Sequence, residues 1–270
     1  MTPPAPRVGP PGRWPDLAER VGSALIILVA GAALLVMPVM VASAGISILF
    51  AALVWELTRL VVPAPAQRRV VGIGLLAGLA MAATLFAGSW GALALIVPLA
   101  VGTPVARREL RPAYVGFFML MVLAAWGLLW VRLTFGLGEA LWIVALVVLS
   151  DVLGYFVGRS VGGPKFWPAI SPKKTWSGTA AGWIGAAVLG LVLFALGLAE
   201  PGVIVIGPLL AFAGQMGDIG ESWIKRRVGV KDSSRLIPGH GGLMDRFDAM
   251  AGSLAAATLL GLAGRLPVVG

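Results

Sequence analysis

The sequence predicts an all-α, polytopic integral membrane protein with about nine transmembrane helices and a cytoplasmic N-terminus. Hydrophobic residues make up 59% of the 270 residues and charged residues only 12%, whereas roughly a quarter of the residues in a soluble domain are charged. The mean hydropathy is +0.93. The chain therefore has too little polar surface for a soluble enzyme, a disordered scaffold or a disulfide-stapled secreted module.

Apolar runs recur along the chain, and about 20 such residues form a helix that spans a hydrocarbon core about 30 Å thick. The first run also has features of a cleavable signal peptide, because a basic segment precedes it and small residues follow at 42–44, but it is too long for one. The predicted spans are 22–41, 44–62, 70–87, 89–105, 114–132, 139–158, 179–198, 202–223 and 249–265.

Lysine and arginine residues set the predicted orientation, since cytoplasmic loops of membrane proteins retain basic residues. A cytoplasmic N-terminus places all but two of the 21 Lys and Arg residues inside, leaving only Arg132 and Arg265 outside. The net charge of +9 therefore indicates loops that face anionic headgroups and anionic substrates, and it does not require nucleic acid.

Acidic residues are concentrated near the predicted cytoplasmic ends of the sixth, eighth and ninth spans, and the first five spans contain almost none. A carboxylate at membrane depth costs a few kcal/mol unless it faces a wet cavity or a partner, so each one is a functional-site hypothesis. The residues in question are Asp151, Asp218, Glu221, Asp232, Asp245 and Asp248.

Asp151, Tyr155 and Arg159 recur every four residues, so they form a stripe on one face of the predicted sixth helix. The stripe could lead from the bilayer to its cytoplasmic rim, or Asp151 could simply be neutralised by an interhelical hydrogen bond. The loop that follows, RSVGGPKFWPAISPKKTWSG at 159–178, is either an ordinary basic cytoplasmic loop or a second element of the site.

Asp218, Glu221, Ser222 and Lys225 also share one helix face, at the end of the eighth span. The alternative for this face is a salt-bridged helix end whose side chains reach the interface. The next segment, KDSSRLIPGHGGLMDRFD at 231–248, places three acids, three bases and four Gly or Pro residues in 18 positions.

Any metal in this protein must be held by oxygen, because the chain has no Cys and a single His. Magnesium binds carboxylates together with substrate phosphates, and glycine-supported backbone amides and basic side chains bind phosphates. The pattern therefore favours metal-assisted phosphoryl or nucleotidyl transfer over a transporter. His240, the single histidine, is either a general acid or phosphate contact, or a capping residue.

SWIKRRVGVKDSSRLIPGHGGLMDRFD, at 222–248, resembles the signature of the phosphatidate cytidylyltransferase family, also called CDP-diacylglycerol synthases. It matches the form S-x-x-K-R, then K-D, then H-G-G-x-x-D-R-x-D. SPKKTW at 171–176 resembles a second family block, and Asp151, Tyr155, Gly158 and Arg159 resemble a third. The chain departs from the family at Ser177, where members commonly have an acid, and at Gly163 and Pro164, where basic residues are usual.

The resemblance implies transfer of the CMP moiety of CTP to phosphatidic acid, giving CDP-diacylglycerol and pyrophosphate in phospholipid biosynthesis. It implies magnesium, leaving open a second cation, and it implies CTP, phosphatidic acid and membrane lipids as partners, with a homodimer as a further expectation. The expected location is the inner (plasma) membrane, with the active site facing the cytoplasm. The alternatives are another CTP-dependent lipid kinase or lipid nucleotidyltransferase, or a non-enzymatic transporter.

The resemblance also assigns roles to individual residues. The expected catalytic residues are Asp218, Lys225, Arg226, Asp245 and Asp248, and the expected magnesium ligands are Asp218, Asp245 and Asp248. The expected substrate contacts are Asp151, Tyr155, Arg159, Ser171, Lys173, Lys174, Ser222, Lys231, Asp232, His240, Gly241, Gly242 and Arg246.

Three regions are predicted along the chain. Residues 1–21 form a proline-rich, disordered cytoplasmic tail, and 22–138 form the N-terminal transmembrane helices. Residues 139–270 form the catalytic transmembrane region, with cytoplasmic loops at 159–178 and 224–248.

Overall fold

The structure, a computed structural model, describes residues 29–62, 67–237 and 241–270. The predicted tail, the first part of the first span and His240 lie outside these residues. The described chain is almost entirely helical. After the helical residues 29–36, its elements are α1 (Val39–Val61), α2 (Gln67–Phe86), α3 (Gly88–Ala94), α4 (Ile96–Val105), α5 (Arg111–Thr134), α6 (Leu137–Ser160), β1 (Lys165–Trp167), β2 (Ser171–Thr175), α7 (Trp176–Ala195), α8 (Val203–Arg227) and α9 (Met244–Leu262).

Five helical segments in the described residues are long and apolar enough to cross a membrane. They correspond to α1, α5 with the short 3-10 turn before it, α6, α7 and α8. The prediction of a helical membrane protein is therefore confirmed, while the count of nine spans stays a prediction. The helix α9 differs from these five because its first two turns carry Asp245, Arg246 and Asp248.

The predicted fourth span, 89–105, is broken into α3 and α4 at Leu95. Pro98 explains the break, because proline has no N–H to donate to the carbonyl of Ala94 and its ring clashes with that carbonyl. The span at 89–105 stays a prediction, because Trp90–Val105 is shorter than the five apolar helices above.

The loop predicted at 159–178 contains an antiparallel hairpin, in which Lys165 pairs with Thr175 and Trp167 with Ser171. The chain enters it through Gly162 and Gly163, whose φ angles of 67° and 103° favour glycine. The all-α prediction therefore needs correction by one small sheet. Strands of three and five residues are too short for an alternating pattern to stand out in the sequence.

Helices α8 and α9 pack closely through small residues. A methyl group on Gly214 would lie 2.9 Å from the carbonyl oxygen of Ala249 and 2.5 Å from Ser253 Oγ. Gly217 of α8 likewise faces the backbone of Asp248 and Gly252. This close approach brings the acidic faces of the two helices together.

The helices define two ends of the molecule, which we call the polar end and the opposite end. The polar end contains the hairpin, the last turns of α1 and α8 and the first turns of α9. At the opposite end the C-terminus folds back, so that Gly270 N donates to Leu198 O at 3.0 Å and Val269 N to Glu139 Oε2 at 2.9 Å.

Candidate active site

Five carboxyl groups from three helices converge at the polar end, and we call them the acidic cluster. Their three-residue spacing puts the two acids of α8 on one helix face and the two acids of α9 on another. The Asp248 carboxyl is close enough to Asp218, Glu221 and Asp151 for their charges to interact. The members are Asp151 of α6, Asp218 and Glu221 of α8, and Asp245 and Asp248 of α9.

Two lysines bridge the acidic cluster. Lys174, from β2, places Nζ 2.5 Å from Asp218 Oδ2. Lys225 places Nζ 2.5 Å from both Glu221 Oε2 and Asp245 Oδ1, and its side chain is only 8% exposed. Lys225 thus fixes carboxylates of α8 and α9 relative to each other. Lys174 is more accessible and ties the hairpin to α8.

Asp245 is held through both of its oxygens. While Oδ1 pairs with Lys225, Oδ2 accepts hydrogen bonds from Gly242 N at 2.7 Å and from Ser233 N and Oγ at 2.9 and 3.0 Å. Gly241 has φ 85°, a conformation open to glycine, and it turns the chain so that Gly242 N–H faces Asp245. Burial alone would raise the pKa of Asp245, but Lys225 and these donors outweigh it and lower the pKa below the ordinary value.

Asp248 lies in the opposite electrostatic situation, one turn along α9. Its burial and the nearby carboxyl groups of Asp218 and Glu221 raise its pKa well above the ordinary value. Neighbouring acids whose pKa values are pushed apart are typical of sites that perform chemistry.

Glu56 of α1 is part of the site's framework and was missed by the sequence analysis. Its carboxylate is fully buried and accepts hydrogen bonds from Leu243 N at 2.9 Å and Met244 N at 2.5 Å, which caps the start of α9 from another helix. It also accepts from Ser234 Oγ at 2.5 Å and Ser233 Oγ at 3.3 Å. An acid inside the apolar run AALVWELTRL was the signal that could have found it.

Other predicted residues lie around the cluster. Ser222 Oγ donates to Asp218 Oδ1 at 3.3 Å. Arg226 joins the end of α8 to the hairpin, since its Nε donates to Ile170 O at 3.4 Å. On β2, Lys173 is exposed and Ser171 is half-buried.

The stripe predicted on α6 exists but does not enter the cluster as a whole. Asp151 interacts with the charges of Lys174 and Asp218. Tyr155 is exposed, and its hydroxyl accepts a hydrogen bond from Arg159 Nη1 at 3.2 Å. Lys231, Asp232 and Arg246 are exposed at the same end of the molecule.

The carboxylates fit a magnesium site by their donor chemistry. Asp218, Asp245 and Asp248 offer only oxygen atoms, and magnesium usually takes one or two carboxylates and completes its shell with water and substrate phosphates. Within residues 29–62, 67–237 and 241–270, no three Asp, Glu, His or Cys side chains form a ready-made metal cage. The crowding of carboxyl groups around Asp248 is an arrangement that a cation would relieve.

Apolar helices that gather carboxylates and lysines at one end define a helical membrane protein with a charged site at that end. The chain matches the Cytidylyltransferase family over residues 18–262. It therefore belongs to that family.

Several curated relatives carry the name phosphatidate cytidylyltransferase. The chain is 49% identical to the protein of Brucella abortus over 135 residues, which are 49% of this chain and 48% of that protein. It is 42% identical to the protein of Staphylococcus saprophyticus over 117 residues, or 42% and 45% of the two chains. With the protein of Bacillus subtilis it shares 40% identity over 118 residues, or 43% and 44%. The chain thus spans about half the length of the curated relatives it matches.

Proposed function

We propose that the protein transfers the CMP moiety of CTP to phosphatidic acid, giving CDP-diacylglycerol and pyrophosphate in phospholipid biosynthesis. The observation that carries the proposal is the lysine-bridged acidic cluster, in which the segment 222–248 contributes Asp245, Asp248 and Lys225. The names of the relatives support the same reaction.

The polar end is proposed to face the cytoplasm, in a protein of about nine spans in the inner (plasma) membrane. One substrate is confined to the bilayer and the other to the cytosol, so the reaction must take place at an interface between them. Arg132 lies in the last turn of α5 and Arg265 follows α9, so the two basic residues predicted outside both lie at the opposite end. Their position supports the orientation, because basic residues are retained on the cytoplasmic side.

In the proposed reaction a phosphatidate phosphate oxygen attacks the α-phosphorus of CTP. The new P–O bond forms as the bond between the α-phosphorus and the bridging oxygen breaks, and that oxygen leaves with pyrophosphate. The attacking oxygen is already ionised, so positioning and charge neutralisation matter more than removal of a proton.

The described side chains divide this work. Lys225 is buried between Glu221 and Asp245, so it positions carboxylates. Lys174 is 21% exposed and can exchange Asp218 for a phosphate oxygen. Asp218, Asp245 and Asp248 would hold magnesium, which when bound would offset the negative charge of the phosphates.

The lipid is proposed to approach along α6. Tyr155 and Phe156 are exposed there, next to the guanidinium of Arg159, which suits the phosphate of phosphatidic acid. Asp151 follows toward the acidic cluster. A homodimer remains a prediction.

Pyrophosphate release from the purified protein in detergent tests the proposal. We expect release from CTP only when phosphatidate and magnesium are both present, with CDP-diacylglycerol as the lipid product. A lipid kinase would form CDP instead, and a transporter would release no pyrophosphate. Either result would reject the proposed reaction.

A further inference from the structure

The polar end contains a cavity of about 610 Å³, separate from the acidic cluster. It lies between the end of α1, the segment after α4 and the loop that follows α8. This volume is within the range of about 300–1,000 Å³ that is usual for small-molecule sites. The side chains that matter for its chemistry are Arg59, Arg107, Lys231, Asp232, Ser233, Ser234 and Arg235.

The described lining of this cavity carries excess positive charge. Among the described residues that line it, four are basic and one is acidic. In the part of the chain that the structure describes, the side chains of Arg107, Lys231 and Arg235 form no hydrogen bond or ion pair. Arg59 packs over the ring of Trp55, 5.4 Å from its centroid. Lys174 and Lys225 in the acidic cluster are, by contrast, held by carboxylates.

A concave surface with excess positive charge concentrates anions. Guanidinium groups add geometric selectivity, because they donate paired hydrogen bonds to phosphate oxygens. The unpaired bases therefore indicate a ligand that carries several phosphate charges.

The cavity shares a wall with the acidic cluster. Ser233 lines the cavity and donates to Asp245 from both N and Oγ. Ser234 lines it as well and donates to Glu56. The other wall is fixed by Arg107, whose N–H donates to Val61 O at 2.9 Å. A ligand in the cavity would thus lie next to Asp245, between elements that are tied together.

We propose that this cavity binds the triphosphate of the nucleotide substrate, with Arg59, Arg107 and Arg235 as phosphate contacts. The inference rests on the proposed function and extends it, because it separates a nucleotide side at α1 and α4 from a lipid side at α6. A phosphatidate headgroup offers the same phosphate chemistry, so the experiment must distinguish the two sources.

The test compares R107Q/R235Q with R108Q. Arg108 is an exposed neighbour of Arg107 that does not line the cavity, so R108Q is the matched control. Binding of labelled CTP is measured in detergent with magnesium and no lipid, and the KM values for CTP and for phosphatidate in mixed micelles are measured separately. We expect the double variant to raise the Kd and KM for CTP by about tenfold or more, since it removes charge-assisted hydrogen bonds from two guanidinium groups. The KM for phosphatidate and all values for R108Q should stay within about twofold, well below that effect.

A rise confined to the KM for phosphatidate would overturn the nucleotide assignment, and unchanged constants for both substrates would overturn the cavity as a phosphate site. Elution volume and thermal unfolding confirm that each variant is folded. If the wild type binds CTP but forms no CDP-diacylglycerol, the proposed function fails. Binding of CTP and its competition by inorganic tripolyphosphate then still show whether the cavity binds the triphosphate. Tripolyphosphate should then displace CTP from the wild type and R108Q at concentrations about tenfold lower than from R107Q/R235Q.

Discussion

Both ends of the molecule bury carboxyl groups, but they do so in different ways. At the opposite end, Glu139 is fully buried and accepts the backbone N–H of Val269, which holds the C-terminus in place. At the polar end, the acidic cluster contains five carboxyl groups, of which two lysines pair with three. A buried acid that accepts a backbone N–H stabilises the fold. A cluster with more acids than lysines, by contrast, retains negative charge that can bind a cationic ligand.

Glu56 shows that the same distinction holds within the polar end. Like Glu139, it is buried and accepts backbone amides, yet those amides belong to the residues that position Asp245. Burial of an acid is therefore not sufficient evidence for a chemical role. Glu139, Glu56 and the acidic cluster differ in two respects: how many other acids lie nearby, and which residues each acid holds in place.

The largest effect should come from Asp245→Asn. The amide cannot pair with Lys225 in the same way and is a much weaker cation ligand, so turnover should fall by at least about 100-fold, as when preorganised charge stabilisation is lost. Magnesium-dependent pyrophosphate release measures the loss, and Asp218→Asn should give a similar result. Near-normal turnover in both variants would contradict the assignment of the acidic cluster as the reaction centre.

Lys225→Met should affect folding and activity together. It leaves Glu221 and Asp245 without their shared cation, and removal of one partner from a buried ion pair costs about 3–5 kcal/mol. Thermal unfolding in detergent measures this cost. Lys174→Met is the comparison, because Lys174 and Asp218 are more exposed and their loss should destabilise the protein less. Equal destabilisation by the two changes would show that the deeper burial of Lys225 does not make it more important for stability than Lys174.

Glu56→Gln should lower turnover moderately, by about tenfold. Glutamine keeps one carbonyl acceptor for the start of α9 but leaves other donors unsatisfied, at a cost of about 1–3 kcal/mol. The expected change is in kcat, with the KM for phosphatidate altered little, because Glu56 contacts the framework of Asp245 and not the lipid side of the site. A large rise in the KM for phosphatidate with unchanged kcat would contradict this positioning role.

Glu139→Gln should have the smallest effect. Its amide oxygen can still accept the N–H of Val269, so the free energy of unfolding should fall by about 1 kcal/mol or less. Turnover should remain within about twofold of wild type. A tenfold loss of activity would contradict the view that Glu139 only stabilises the fold while the acids of the polar end take part in the reaction.

The pairing of acids on one face of each helix was predictable because it depends on local spacing. Asp218 and Glu221 on α8, and Asp245 and Asp248 on α9, are three residues apart, which fixes a shared helix face. The glycine pair at 241–242 was predicted to present amides to phosphate, whereas the structure has Gly242 N–H donating to Asp245.

The remaining features depend on contacts that periodicity does not encode. Glu56 reaches Met244, 188 residues later in the chain, and hydropathy patterns contain no information about that pairing. The hairpin partly depends on packing, since Phe166 and Trp176 meet edge to face with centroids 4.6 Å apart. The break at Leu95 follows from Pro98, which stands in the sequence inside an apolar run that predicted a span.

The hydrogen bonds to Glu56 also limit which fragments of the protein can keep the site intact. Four hydrogen bonds run from the segment 233–244 to a single side chain in α1. A fragment that starts after α5 would retain the family signature and still lack this acceptor. Chimeras that exchange the amino-terminal helices between homologues should therefore retain a glutamate at this point, and attempts to trim the protein to a minimal module would need to supply the acceptor from elsewhere.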